Sequence, residues 1–172
     1  TGADNAAVGY QSLYSNTIGQ SNTAVGNSAL ASNTTGTSNS AFGKSALFTN
    51  TTGVNNTACG IAALYYNQTG SSNTAVGYAS QYNVTTGNYN TSVGQWTAVN
   101  ITTGSNNVAV GYQTLGAAAG SSNTAVGFQS LNQSTASNLV AYGYQSLFNN
   151  TSGTLNTALG DRKSTRLNSS HT

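Results

Sequence analysis

The stretch Asn22–Ser38 reads NTAVGNSALASNTTGTS and is followed by NSAFGKSALFTNTTGVN at Asn39–Asn55 and NTACGIAALYYNQTGSS at Asn56–Ser72. These three 17-residue units align without a gap, and the pattern runs outward from them in both directions. The glycine closing each AVG-like triplet recurs at Gly9, Gly26, Gly43, Gly60, Gly77, Gly94, Gly111, Gly127, Gly143 and Gly160, every 17 residues except for 16 on either side of Gly127. A second glycine column lies seven residues earlier, at Gly2, Gly19, Gly36, Gly53, Gly70, Gly87, Gly104, Gly120 and Gly153, with Ala136 standing in for it once. Self-similarity at a short fixed period marks a repeat architecture.

A 17-residue unit is too short for a helical hairpin, and its Asn-Thr-Thr-Gly and Gly-Ser-Asn-Asn clusters are turn chemistry. Two short strands per unit, joined by two turns, fit the length. Glycine supplies the turns with positive φ or with room for close backbone approach. The fold expected is all-β: a parallel β-solenoid of about ten 17-residue coils over residues 1–160, a rod on the order of 45 Å long at the strand spacing of a sheet. A disordered chain of this composition would have no need of apolar residues locked in register with glycine.

Strand side chains alternate faces, so the apolar column before the glycine (Val8, Val25, Phe42, Cys59, Val76, Val93, Val110, Val126, Tyr142, Leu159) opposes the small column before that. Larger side chains are expected to fill the coil, with Cys59 a small buried hydrophobe among them. By the same alternation the threonines Thr23, Thr57, Thr74, Thr91, Thr124 and Thr157 are placed partly inward, and the Asn-Thr-Thr turns carry the exposed threonine rows. Ala24, Ala41, Ala58, Ala75, Ala109 and Ala125 then face outward, and their uniform smallness suggests a homotrimer packed through them.

Only 3% of the residues are charged, and the net charge of +2 lies in residues 161–172, because Asp4 and Lys44 cancel in the body. No basic field exists there to steer toward phosphate or anionic lipid, so nucleic acid and direct membrane contact are not expected partners. The sole histidine is His171, which leaves the abundant hydroxyls without a general base. Clusters of Cys, His, Asp or Glu for zinc or calcium are missing, as are phosphate-cradling glycine motifs. The chain is therefore read as non-enzymatic, with no cofactor or metal.

An aromatic stripe follows the column glycine at Tyr10, Tyr78, Tyr112, Phe128 and Tyr144. It reads either as packing along a coil edge or as a binding face for a protein or glycan. The N-x-S/T matches at Asn33, Asn50, Asn67, Asn83, Asn90, Asn100, Asn132, Asn149 and Asn150 arise from the repeat itself.

The segments NTAVGNSAL at Asn22–Leu30, NTAVGYAS at Asn73–Ser80 and NTAVGFQSL at Asn123–Leu131 resemble the N-S-V-A-I-G-x-x-S repeats of YadA-like heads in trimeric autotransporter adhesins. Ala24-Val25-Gly26 stands where that family has A-I-G. The resemblance implies a left-handed β-roll, a homotrimer, display on the bacterial outer membrane, and attachment to host matrix protein, surface glycan or cells. The unit is longer than the usual head repeat, and its asparagine sits one residue closer to the glycine. The N-T-A-V-G-Y-Q-S-L form is also similar to repeats of phage tail fibres, which implies a virion shaft instead. An ice-binding solenoid with stacked threonine rows and a ligand-free spacer are the remaining readings; turn residues Ala118-Ala119 and Thr135-Ala136 vary too much for the former.

Residues Asp161 to His171 resemble one reading frame of a sequencing-library adapter. Residues 161–172 are accordingly expected to be artefactual and disordered, and residues 1–160 to be a piece incomplete at both ends.

Overall fold

A computed structural model describes residues 2–117 and 120–161. Apart from Asp161, the adapter-like tail lies outside the described residues, as do Ala118 and Ala119. The chain forms a β-solenoid with one three-residue strand per coil: β1 (Ala6–Val8), β2 (Thr23–Val25), β3 (Ser40–Phe42), β4 (Thr57–Cys59), β5 (Thr74–Val76), β6 (Thr91–Val93), β7 (Val108–Val110), β8 (Thr124–Val126), β9 (Val140–Tyr142) and β10 (Thr157–Leu159). The ten strands make a single parallel sheet in sequence order. Register is exact to the repeat, with Ala24 over Ala41 and Ala58 over Ala75.

The second strand expected in each coil is not formed. Its place is taken by turns that still hydrogen-bond along the rod, as where Leu30 N–H donates to the Ala46 carbonyl at 3.0 Å and Ser32 N–H to that of Phe48 at 3.1 Å. The reason is backbone conformation. In each coil, positions such as Ser21, Ser28 and Leu30 take φ of 56°, 57° and 51°. L-residues in this left-handed region cost roughly 1–2 kcal/mol each, and here the interrupted chain direction is held by coil-to-coil bonds.

Both glycine columns serve close approach. At Gly43, φ is +132° and a Cβ would lie 2.6 Å from the Gly60 carbonyl oxygen, so both conformation and space demand glycine. At Gly36 space alone decides, since a Cβ would sit 2.5 Å from the Gly53 carbonyl oxygen.

The interior reverses the expected assignment of faces. Ala24, Ala41, Ala58, Ala75, Ala109 and Ala125 are all 0% exposed, so the alanines fill the core and are not an outer trimer face. Val8, Val25, Phe42, Cys59, Val76, Val93, Val110, Tyr142 and Leu159 are exposed instead. Cys59 is thus a surface thiol, and the strand threonines share that outer face, with Thr57, Thr91 and Thr157 exposed. The cause is the narrow cross-section of a 17-residue coil. Leu30, Leu47, Leu64, Leu115 and Leu131 project inward from the opposite wall and join the alanines in one core cluster. With leucine filling the width, close packing leaves room for a methyl group only.

Asparagine completes the interior. Asn39 N–H donates to Asn22 Oδ1 at 3.0 Å, while Asn22 Nδ2 donates to the Gly36 carbonyl at 2.9 Å. The same pattern climbs through Asn56, Asn73, Asn90, Asn107 and Asn123. A second ladder links the side chains of Asn16, Asn33, Asn50 and Asn67 at 2.8 Å per step. It stops at Val84, leaving Asn67 Oδ1 without a partner among the described residues. Asn33, Asn50, Asn67, Asn90 and Asn150 are buried, which closes these N-x-S/T matches to glycosylation.

Candidate interaction surface

Two features of the surface are ordered enough to recognise another molecule. The first is the outer face of the sheet. Its strands repeat Thr-Ala-Val with Ala inward, so a threonine row and an apolar row run side by side along the rod. Val76, Val93 and Val110 are 37%, 41% and 36% exposed on this face. A contiguous apolar row on a solvated surface is the kind of feature on which a partner can pack.

The second is aromatic. Tyr112, Phe128 and Tyr144 stack ring on ring, with centroids 5.5 and 5.2 Å apart and planes within 15° and 5°. All three remain exposed. One residue farther along each coil a glutamine ladder repeats the step, Gln129 Nε2 donating to Gln113 Oε1 and Gln145 Nε2 to Gln129 Oε1, both at 2.8 Å. The other two members of the sequence stripe do not join this stack. Tyr10 lies at the far end of the rod, separated by Asn27, Lys44 and Ile61, and Tyr78 meets Trp96 edge-on at 5.2 Å.

A further aromatic row was not picked out from the sequence. Phe48, Tyr65 and Tyr82 stack at 5.1 Å per step, and Tyr66 packs edge-on against Tyr65 and Tyr82 at 4.7 and 5.2 Å. Partial burial, with the neighbouring Tyr66, raises the Tyr82 phenol pKa above its ordinary value of 10.0. The signal was present, since Phe48, Tyr65 and Tyr82 each lie five residues past a column glycine.

No protein-family model, curated protein or solved structure matches this chain. Among the described residues no group of three or more His, Cys, Asp or Glu is placed to hold a metal, and no helix is long and apolar enough to cross a membrane. The repeated surface therefore carries the functional argument.

Proposed function

We propose that this chain is a non-enzymatic head or shaft segment of a trimeric surface adhesin, mediating attachment to host matrix or cells. The observation that carries the reading is the uncovered Thr/Val face of the sheet, an apolar row as long as the rod. Three copies packed through that face would remove it from water and turn the aromatic and polar turn segments outward. The trimer face is thereby moved from the alanines to Val25, Phe42, Cys59, Val76, Val93 and Val110. The likeness of the Asn-Thr-Ala-Val-Gly units to YadA-like heads supports both the trimer and a place on the bacterial outer membrane.

The runner-up, a phage tail-fibre shaft, uses the same rod and the same packing and differs in what displays it. Ice binding is disfavoured, because Phe42 and Tyr142 project from the sheet face and interrupt the flatness that matching a lattice requires. The test is to measure the mass of the purified chain in solution and its attachment to surfaces coated with matrix protein or with intact cells. A trimer that attaches is the expected result. A chain that stays monomeric at high concentration and attaches to none of these surfaces would sink the proposal.

A further inference from the structure

The aromatic row five residues past the column glycine is interrupted from the sixth to the eighth coil. Phe48, Tyr65, Tyr82 and Val99 occupy that position in successive coils, then Gly116 and Asn132, and Phe148 resumes it. The seventh and eighth coils are also each one residue short, with 16 residues from Gly111 to Gly127 and from Gly127 to Gly143. Losing both a side chain and a backbone residue opens a groove of about 460 Å3 in the rod wall, between Trp96 and Val99 on one side and Phe148 on the other. No strand residue lines it, so it is separate from the Thr/Val face.

Between these apolar ends the groove is lined with amides. Asn132 Nδ2 donates to the Gln113 carbonyl at 2.6 Å, Gln133 Nε2 donates to Asn132 Oδ1 at 2.7 Å, and Gln113 Oε1 accepts from Gln129. These bonds hold the amide planes in place and leave the Gln113 NH2 without a hydrogen-bond acceptor among the described residues. Trp96 is itself oriented by its edge contact with Tyr78. No lining residue is charged.

We propose that this groove binds a neutral saccharide. An amide offers donor and acceptor together, as a sugar hydroxyl does, so a pre-oriented amide floor matches a ring of hydroxyls without any charge. Indole and phenyl faces take the C–H side of a pyranose, and the groove volume falls within the roughly 300–1,000 Å3 of small-ligand sites. An acidic sugar or a phosphate would find no cation here. The inference deepens the attachment reading by naming a ligand class, but it stands on groove geometry and not on assembly.

Trp96 lines the groove and is the only tryptophan of the chain, so all tryptophan emission comes from this residue. The full chain is titrated with neutral tetrasaccharides built from glucose, galactose, mannose or N-acetylglucosamine, alongside a sialylated tetrasaccharide and a Ser/Gln peptide. At least one neutral sugar is expected to give a saturable change. Phe148→Ala and Gln113→Ala should weaken it at least about tenfold, the loss expected when a ring contact or a buried hydrogen bond worth about 1.4 kcal/mol is removed. Gly116→Tyr, whose Cβ would come within 2.6 Å of Asn132 Nδ2 and push that amide out of the floor, should abolish it, and Tyr89→Ala, outside the groove lining, should leave it unchanged. Circular dichroism establishes that each variant is folded. The proposal is overturned if no neutral sugar changes the fluorescence up to about 10 mM, weaker than any useful site. It is equally overturned if only the peptide binds, or if folded Phe148→Ala and Gln113→Ala bind like the parent. A chain that binds sugar in solution yet does not attach to coated surfaces would retain the groove and refute the adhesin reading.

Discussion

Asn56 shows at a single residue how the rod is held. Its Oδ1 accepts from Asn73 N–H at 3.0 Å and its Nδ2 donates to the Gly70 carbonyl at 2.8 Å, both in the buried interior. Asn56→Ala removes both bonds and strands the Asn73 N–H, worth about 1–3 kcal/mol when buried and unsatisfied, while the Gly70 carbonyl keeps its bond from Asn67 Nδ2. A loss of about 1–3 kcal/mol is expected by urea denaturation. Tyr82 gives a second expectation at this scale. Its phenol pKa is raised by partial burial and by Tyr66, so the folded chain holds that proton more tightly than the unfolded chain does. The resulting stability is complete below pH 10, the unfolded value, and is lost as pH rises through the higher folded value. Tyr82→Phe should flatten the fall in melting temperature above pH 10; an unchanged alkaline slope would show that the tyrosine cluster has no part in it.

At the scale of one coil, the pair Gln81 and Ser92 departs from the repeat in a correlated way. Gln81 stands in the leucine column and Ser92 in the alanine column of the next coil, and Gln81 Nε2 donates to Ser92 Oγ at 2.9 Å. That contact shows directly that the two columns face each other across the interior. Gln81 also donates to the Thr74 carbonyl at 2.8 Å, but its Oε1 has no partner among the described residues. Replacing both partners of a buried polar pair with apolar groups of fitting shape is near neutral or stabilising. Ser92 Oγ also shares a hydrogen bond with the buried Ser80 Oγ, so the triple variant Ser80→Ala/Gln81→Leu/Ser92→Ala, which repeats the set Ala46, Leu47 and Ala58, should gain about 1 kcal/mol by urea denaturation. A net loss of stability in the triple variant would mean that the polar cluster is the better core.

On the scale of the whole rod, the alanines and valines now make opposite predictions. Lysine at Ala58, Ala75 or Ala109 would put a charge into a fully buried column and prevent folding, so it tests no interface. Val76→Lys, Val93→Lys and Val110→Lys change exposed positions and should leave the circular dichroism spectrum intact while abolishing the proposed trimer in sedimentation. Folded trimers in these variants would exclude the Thr/Val face as the contact. Because Asp4 and Lys44 are the only charges before residue 161, assembly should be indifferent to salt between about 0.1 and 1 M, where the Debye length falls from about 10 to 3 Å. Sedimentation at the two ionic strengths checks this, and dissociation on raising salt would reveal an ionic contact the neutral body does not supply.

The repeat by itself determined the solenoid, because ten glycines in near-constant register leave few other ways to reuse the same side chains, and it also marked where the coil turns. It did not determine which side of the strand is the inside. Size alone favoured valine, yet the parity from Asn22 to Ala24 already placed the small residue on the same face as asparagine, and an asparagine in nearly every coil has a reason to be inward as a ladder. Only the tertiary structure decided the matter, because the available width depends on what the opposite wall contributes. That wall is a leucine five or six residues farther along, held in a left-handed conformation that local preference would not assign to it. The same holds for the groove beside Trp96: a missing residue and a glycine are visible in the sequence, but the space they leave exists only once the coils are stacked.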